Sequence, residues 1–177
     1  ARANLCITLI PAGHLLGAAA ILLEIKEEET LKRVAFSGDI GRYNYPILAD
    51  PETIPEVDYL ICESTYGGRL HSKDKTVEEV LIENIKHSCI DTPGRLIIPA
   101  FSIGRTQALV YSINKIFAAK KLPPIKVFVD SPLGMAGTDI YRKHHHLLND
   151  SAKEFYQSNG DQFTFDSLDY IETLKES

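Results

Sequence analysis

The sequence contains few cysteines, and their spacing excludes one class of metal site. Only Cys6, Cys62 and Cys89 are present, and none of them forms the C-x-x-C pair typical of a cysteine zinc site. An odd number of cysteines without a disulfide framework favours a reducing, cytosolic compartment. Because Cys6 and Cys62 lie within apolar runs, we expect both thiols to be buried.

Long apolar runs are also lacking. No stretch reaches the roughly 18 apolar residues of a transmembrane helix, and no signal peptide is visible, so we expect no membrane association. The sequence does not begin with methionine, and residues 5–10 already have the pattern of a core strand. We therefore expect the chain to be a truncated part of a longer protein.

The sequence has fewer basic residues than acidic ones. The sequence has 19 lysines and arginines against 24 aspartates and glutamates, a formal net charge of −5. This balance argues against nonspecific binding of nucleic acid by the whole surface, although residues 115–143 form a locally basic segment. With 177 residues, 44% of them hydrophobic, the chain is large enough for one large or two small domains with their own cores.

The first part of the chain, residues 1–66, is predicted to be mainly β. Apolar runs punctuated by turn residues predict strands, and a long proline-containing loop interrupts them. A loop of that length is usually functional or wraps a neighbouring domain. The predicted strands are 5–10, 18–26, 31–37 and 57–62, and the loop is 38–56.

The second part, residues 67–177, is predicted to be a small α/β domain. Helical periodicity alternates with short apolar runs, which favours parallel strands joined by helical crossovers. The predicted helices are 76–90, 105–120, 135–147 and 152–158, and the predicted strands are 95–100, 125–129 and 168–171. The fold class is therefore α/β.

Three glycine-bearing turns each follow a predicted strand and each carry one polar side chain of the metal-ligand type. These side chains are His14, Asp39 and Glu63, separated by 25 and 24 residues. Successive strand ends can meet at one edge of a sheet, and one imidazole with two carboxylates suits a metal or acid–base site. The residues taken singly are equally compatible with a loop histidine, an Asx turn and a turn cap.

A second candidate site lies where a predicted strand enters the helix at 105. Helix N-termini attract phosphate, so Ser102, Gly104 and Arg105 are candidate contacts to a nucleic-acid backbone. The spacing is not that of a P-loop, and a plain turn explains the segment as well. Asp130 follows another strand and either faces the same edge or caps the next helix. Residues 144–146 are three adjacent histidines, whose side chains diverge on a helix, and we expect them on a surface or interface.

Taken together, five segments resemble the β-CASP branch of the metallo-β-lactamase superfamily. This branch includes the nuclease subunit of the cleavage and polyadenylation factor, its archaeal relatives and the bacterial J-type ribonucleases. Residues 12–18 (AGHLLGA) and 37–39 (SGD) resemble the third and fourth metal motifs. Residues 63–67 (ESTYG) resemble motif A of the family. Residues 99–107 (PAFSIGRTQ) and 129–133 (VDSPL) resemble two further signatures.

The resemblance implies a fold and a chemistry. It implies that residues 1–66 are the C-terminal portion of an αββα metallo-β-lactamase sheet, and that residues 67–177 are part of a Rossmann-like β-CASP domain, both incomplete. It implies two zinc ions, with His14 as a ligand of one and Asp39 bridging both, and Glu63 as the partner of a catalytic histidine. The implied reaction is hydrolysis of RNA by metal-bound hydroxide, with endonuclease and exonuclease modes both open. Single-stranded DNA as a further substrate and a homodimer are compatible with it.

The chain departs from the family pattern in ways that define the alternatives. The His-x-His-x-Asp-His cluster and the later motif B and motif C histidines are absent, and Ala108 stands where many relatives have an acidic residue. We expect the chain by itself to bind zinc weakly and to lack nuclease activity. A non-catalytic RNA-binding scaffold is the second interpretation. A small-molecule metallo-hydrolase is the third, although it has no use for the segment after residue 67.

Overall fold

The computed structural model describes residues 4–69 and 75–171. The chain divides into two compact units, Ala1–Leu70 and His71–Ser177. Its mixture of sheets and helices confirms the α/β class predicted from the sequence. No helix in the described ranges is both long enough and apolar enough to cross a bilayer.

The first unit contains one four-stranded sheet in the order β1-β2-β3-β4. Its strands are β1 (Asn4–Pro11), β2 (Ala19–Glu27), β3 (Thr30–Phe36) and β4 (Tyr59–Ile61). The first three run antiparallel, and β4 pairs with β3 in parallel. The Pro11, Phe36 and Ile61 ends of β1, β3 and β4 therefore lie at the same edge of the sheet, and each is followed by one of the predicted turns.

One face of this sheet is covered and the other is not. Ile10, Ala20, Leu22 and Ala35 form a small core. Ile54 of the long loop and Val57 just after it are partly buried and pack against this core. The burial of the long-loop side chains explains why this segment has a fixed course without strands or helices.

The prediction of a buried first strand is wrong for most of its length. Leu5, Ile7 and Leu9 are 58%, 59% and 66% exposed, because nothing described packs on their side of the sheet. The expectation that Cys6 and Cys62 are buried is also wrong, since both thiols are exposed. Cys6 shares the covered face with Ile10 but lies beyond the part that the loop reaches.

The second unit is built around a central helix. Its helices are α1 (Val77–Ile85), α2 (Arg105–Ala118), α3 (Pro132–Lys143) and α4 (Asp150–Asn159), and β5 (Val127–Asp130) pairs in parallel with β6 (Leu168–Ile171). A π-helical turn, Lys86–Asp91, extends α1, and a 3-10 turn, His145–Leu147, follows α3. Nine of the fourteen residues of α2 are buried, so α2 is the core helix of this unit.

The apolar core of this unit joins α1 to α2. Leu81 and Ile85 pack with Ile113, Ile116 and Leu122. Helix α1 starts with a full capping box, in which Thr76 and Glu79 exchange hydrogen bonds at 3.2 and 2.7 Å. The periodicity that predicted these two helices therefore corresponds to a real packing face.

The predicted strand over residues 95–100 is not present. The segment has no ladder hydrogen bonds with any described strand, and Ile97 within it is 86% exposed. A strand requires a neighbouring strand, and the described sheet of this unit contains only β5 and β6. The apolar composition of the segment favoured a strand but could not provide its partner.

A network of charged hydrogen bonds is centred on Arg142 of the second unit. Arg142 donates to Asp161 at 2.8 Å, to Asp139 at 2.9 Å, and to the carbonyl of Phe163 and the hydroxyl of Thr164. Burial opposes ionisation of Asp161, but donors from Thr164, the Phe163 N–H and Arg142 outweigh it and hold its pKa below the usual value. This network fixes α3 against the segment that precedes β6.

Candidate functional site

The loop after β1 presents His14 from a tightly folded backbone. The Ala12 N–H donates to the Ala18 carbonyl at 2.9 Å and closes the base of the loop. Gly13 has φ +66°, and a Cβ there would lie 2.8 Å from the backbone nitrogen of Pro51. Glycine is required at this position for both its dihedral angle and its lack of a side chain, and the turn leaves the His14 side chain 44% exposed.

The loop after β3 lies directly against the His14 loop. The Gly41 N–H donates to the Ala12 carbonyl at 2.7 Å. A Cβ on Gly41 would lie 2.0 Å from the Gly13 oxygen and 2.7 Å from the His14 nitrogen, so only glycine fits between the two backbones. This backbone contact fixes the position of Asp39 relative to His14.

The structure brings His14 and Asp39 together. His14 Nε2 and Asp39 Oδ2 are 3.8 Å apart, and the carboxylate side chain is 74% exposed. The separation is too long for a hydrogen bond. Two ligands of one tetrahedral ion, each about 2.1 Å from it, are about 3.4 Å apart, so this pair is within a few tenths of an ångström of such an arrangement. The nitrogen and oxygen donors therefore fit a shared divalent cation.

Glu63 follows β4 and holds the Asp39 loop. Its Oε1 accepts from the Ile40 N–H at 2.7 Å, and its own N–H donates to the Ser37 hydroxyl at 3.0 Å. Hydrogen bonds from Ile40 and then from Thr65, with a smaller contribution from the His14 charge, lower the pKa of Glu63 despite some desolvation. Glu63 is thus an ionised anchor beside the His14–Asp39 pair.

Ser37 is a member of this site that the sequence did not reveal. It is 1% exposed, and its hydroxyl donates to the Gly38 carbonyl at 2.7 Å while accepting from the Glu63 N–H. Ser37 therefore connects the Asp39 loop to the end of β4. The sequence placed Ser37 in the SGD segment that resembles the fourth metal motif, but nothing in the sequence gave its side chain a role.

The described residues supply a partial ligand set. Within 4–69 and 75–171, no group of three or more His, Cys, Asp or Glu side chains is arranged to hold a metal ion. His14 and Asp39 provide two donors, whereas both a structural and a catalytic zinc site need at least three from protein. A complete site would need further donors to join this pair.

In the second unit, the loop before α2 contains the other candidate residues. The Ser102 hydroxyl lies 3.0 Å from that of Ser131. Gly104 has φ +81°, and its N–H donates to Gln107 Oε1 at 2.6 Å. Arg105 is exposed, with its guanidinium 5.4 Å from the centre of the Phe101 ring. The loop therefore offers the Arg105 guanidinium to solvent, while the partly buried Ser102 hydroxyl contacts Ser131 and the Gly104 N–H is bound within the protein.

The remaining candidates lie outside these clusters. The N-cap of α3 is Ser131, whose hydroxyl accepts from the Gly134 N–H, and not Asp130. Among the three histidines, the His145 ring stacks on Tyr156 at 4.3 Å, and the rings of His144 and His146 are 6.0 Å apart. The His146 ring lies 6.0 Å from the His145 ring as well, so the three rings stay near one another and the predicted divergence on a helix is wrong: His144 ends α3, and His145–Leu147 form a 3-10 turn.

Comparison with known proteins identifies the second unit. Residues 106–177 match the Beta-Casp domain. The chain is 36% identical over 155 residues to an RNase J-like protein of Methanocaldococcus jannaschii, which covers 86% of this chain and 35% of that protein.

Two eukaryotic relatives extend the comparison. Endoribonuclease YSH1 of Mycosarcoma maydis is 30% identical over 166 residues, covering 93% of this chain and 18% of the relative. Cleavage and polyadenylation specificity factor subunit 3 of Dictyostelium discoideum is 31% identical over 160 residues, covering 89% and 20%. The chain thus spans about a third of the length of the archaeal relative and about a fifth of these two. The domain match and these relatives together show that the chain belongs to the β-CASP family.

Proposed function

We propose that this chain is part of a zinc-dependent ribonuclease. The observation that carries the proposal is the approach of His14 Nε2 to within 3.8 Å of Asp39 Oδ2, delivered by two loops locked together at Gly41. The names of the relatives, which include an RNase J-like protein and endoribonucleases, support RNA as the substrate.

In this proposal His14 and Asp39 hold zinc. Imidazole nitrogen and carboxylate oxygen are both preferred zinc donors, and each is accessible here. Zinc bound at this pair would supply Lewis-acid stabilisation of the charge that develops on the phosphodiester. Asp39 has two carboxylate oxygens and is the residue we assign to bridging two ions.

Glu63 has a supporting part in the proposal. Its carboxylate is ionised and fixed by the Ile40 N–H, and it retains acceptor capacity for a histidine that would transfer protons. No histidine other than His14 stands within residues 4–69, so such a partner would come from elsewhere in the protein. The partial ligand set likewise supports the proposal that the chain alone is inactive.

RNA would contact the second unit through the loop before α2. The Ser102 hydroxyl and the exposed Arg105 guanidinium are the groups we assign to phosphate contacts. Phosphate contacts position the substrate without selecting a base, which suits a nuclease with a broad range of RNA substrates.

A non-catalytic RNA-binding scaffold is the second candidate, favoured because no three metal-ligating side chains are grouped around one ion position in the described residues. The test is an RNA cleavage assay on the full-length protein, with and without a chelator and with zinc restored. Asp39→Asn is compared with Asp58→Asn, which changes a carboxylate of the same unit that pairs with Lys32 at 3.3 Å. We expect loss of cleavage with Asp39→Asn and with the chelator only. Wild-type protein that binds RNA but never cleaves it would favour the scaffold.

A further inference from the structure

Gln107 is a fully buried amide whose oxygen and nitrogen are both hydrogen-bonded within the protein. It is 0% exposed and lies in the first turn of α2. Its Oε1 accepts from the Gly104 N–H at 2.6 Å. Its Nε2 is 3.1 Å from the Ser102 carbonyl, 3.1 Å from the Gly134 carbonyl and 3.0 Å from the Thr138 hydroxyl.

These bonds connect the loop before α2 to the first two turns of α3. Thr138 donates its own proton to the Gly134 carbonyl at 2.8 Å, so its hydroxyl oxygen is free to accept from Gln107. One side chain thereby joins the two ends of the 102–104 turn to a neighbouring helix. This single amide therefore bonds to Gly134 and Thr138, which lie 27 and 31 positions after Gln107 in the sequence.

Two glycines of α3 lie against the loop. A Cβ on Gly137 would lie 3.4 Å from Ile103 Cγ1 and 3.5 Å from Gln107 Nε2. A Cβ on Gly134 would lie 3.5 Å from the Ser102 carbonyl oxygen. The loop therefore packs on α3 where Gly134 and Gly137 present little side-chain bulk, and Gln107 supplies the polar contacts there.

We infer that Gln107 is a positioning residue for the RNA contact: by tying the 102–104 turn to α3, it fixes where Ser102 and Arg105 meet the substrate phosphates. This inference rests on the proposed function. Ser102 is placed directly, since Gln107 holds its carbonyl and its hydroxyl lies 3.0 Å from Ser131. Arg105 is placed through the backbone, because it immediately follows the anchored Gly104.

The chemistry of the position requires an amide. The group must accept from one N–H and donate to two carbonyls at once, which a carboxylate cannot do. Gln107→Glu would turn an acceptor oxygen towards the Ser102 and Gly134 carbonyls. Gln107→Met keeps the length and apolar stem but removes every bond, and is the variant of choice.

Gln162 offers a matched control. It is also a 0% exposed glutamine of the second unit, and its Nε2 donates to the Ala152 carbonyl at 2.8 Å. Gln162→Met removes a buried amide in the same way but changes nothing in the 102–104 turn. A general loss of packing would affect both variants, whereas loss of positioning would affect only Gln107→Met.

The first measurement is amide hydrogen exchange in the full-length protein without RNA. We expect Gln107→Met to accelerate exchange of the Gly104 N–H at least tenfold relative to Gln162→Met at equal global stability, because only the former removes its acceptor. Equal exchange at Gly104 in the two variants would overturn the positioning role, whatever the protein does with RNA.

The second measurement is a double-mutant cycle on binding of a nuclease-resistant single-stranded RNA. We expect Arg105→Ala to weaken binding about tenfold in wild type and less than about twofold in Gln107→Met. A full tenfold loss in both backgrounds would show that Gln107 does not act through Arg105 and would overturn the inference. If Arg105→Ala has no effect even in wild type, the proposed RNA contact fails, and the inference that depends on it fails too, while the exchange result still reports the local structure.

Discussion

Replacing Gly41 with alanine would force apart the two loops that carry His14 and Asp39. The new Cβ would lie 2.0 Å from the Gly13 oxygen and 2.2 Å from the Gly13 carbonyl carbon, where real Cβ contacts stay above 3.0 Å. The atoms in conflict belong to the backbone and cannot rotate away. The loops must therefore separate by about 1 Å or more, and the 2.7 Å hydrogen bond from the Gly41 N–H to Ala12 breaks.

The expected cost follows from these two effects. Overpacking of this kind costs about 1–3 kcal/mol. The lost hydrogen bond adds about 1 kcal/mol. We therefore expect the free energy of unfolding to fall by roughly 2–4 kcal/mol in Gly41→Ala. Because His14 and Asp39 are displaced relative to each other, we also expect zinc affinity to fall about 10–100-fold, as it does when ligand orientation is lost.

Two other glycines of the same unit provide graded controls. Gly38 has φ +56°, and a Cβ there would make only an ordinary van der Waals contact with the Ala19 oxygen at 3.6 Å, so alanine there costs about 1 kcal/mol through backbone strain alone. Gly68 has nothing within 4 Å, and alanine there should change stability by less than about 0.5 kcal/mol. Urea unfolding and zinc titration of the three variants would test the series. A Gly41→Ala protein that matches Gly68→Ala in both assays would refute the reasoning.

Three further predictions concern single side chains. Asp39→Ala should abolish RNA cleavage yet change stability by less than about 0.5 kcal/mol, since its side chain is 74% exposed; retained cleavage would exclude it as a ligand. Asp161 has a lowered pKa, so its stabilisation is present above its unfolded-state pKa and is lost as pH falls through the folded value; the stability difference between wild type and Asp161→Asn should therefore shrink on acidification. Arg105→Ala should reduce the salt slope of RNA binding by about 0.7, and an unchanged slope would exclude a phosphate contact.

The sequence predicted the secondary structure where periodicity and packing agree. Helix α2 illustrates this agreement, because the spacing that predicted a helix over residues 105–120 matches a helix buried on most sides over Arg105–Ala118. The pairing of β3 with β4 in parallel was not predicted. This parallel pairing places the end of β4, which precedes Glu63, next to the end of β3, which precedes Asp39.

Predictions failed where a distant partner decides the outcome. The apolar segment 95–100 predicted a strand, but a strand depends on a neighbour that local sequence does not specify. The exposure of Leu5 and Cys6 has the same origin, since burial of a sheet face depends on what covers it. Alternation along a strand identifies two faces without telling which of them is covered.

The sequence singled out the side chains that meet at the candidate site but not the residues that hold them in place. His14, Asp39 and Glu63 were found because each follows a strand and a turn. Gly41 was not, because its importance arises from contact with a backbone 28 residues earlier, between Gly41 and Gly13. Gln107 had a partial signal, since glutamine at the third position of a helix often bonds back to the N-cap. Its bonds to α3 could be seen only in the folded chain.

The most direct test of the account is a double-mutant cycle on zinc binding by the full-length protein. Zinc affinity would be measured for wild type, His14→Ala, Asp39→Ala and the double variant, with Asp58→Ala as a control of the same unit. If the two side chains hold a shared ion, each single substitution should lower affinity nearly as much as both together, and Asp58→Ala should leave it unchanged. Wild-type affinity in the double variant would contradict the central claim that this pair is a metal site.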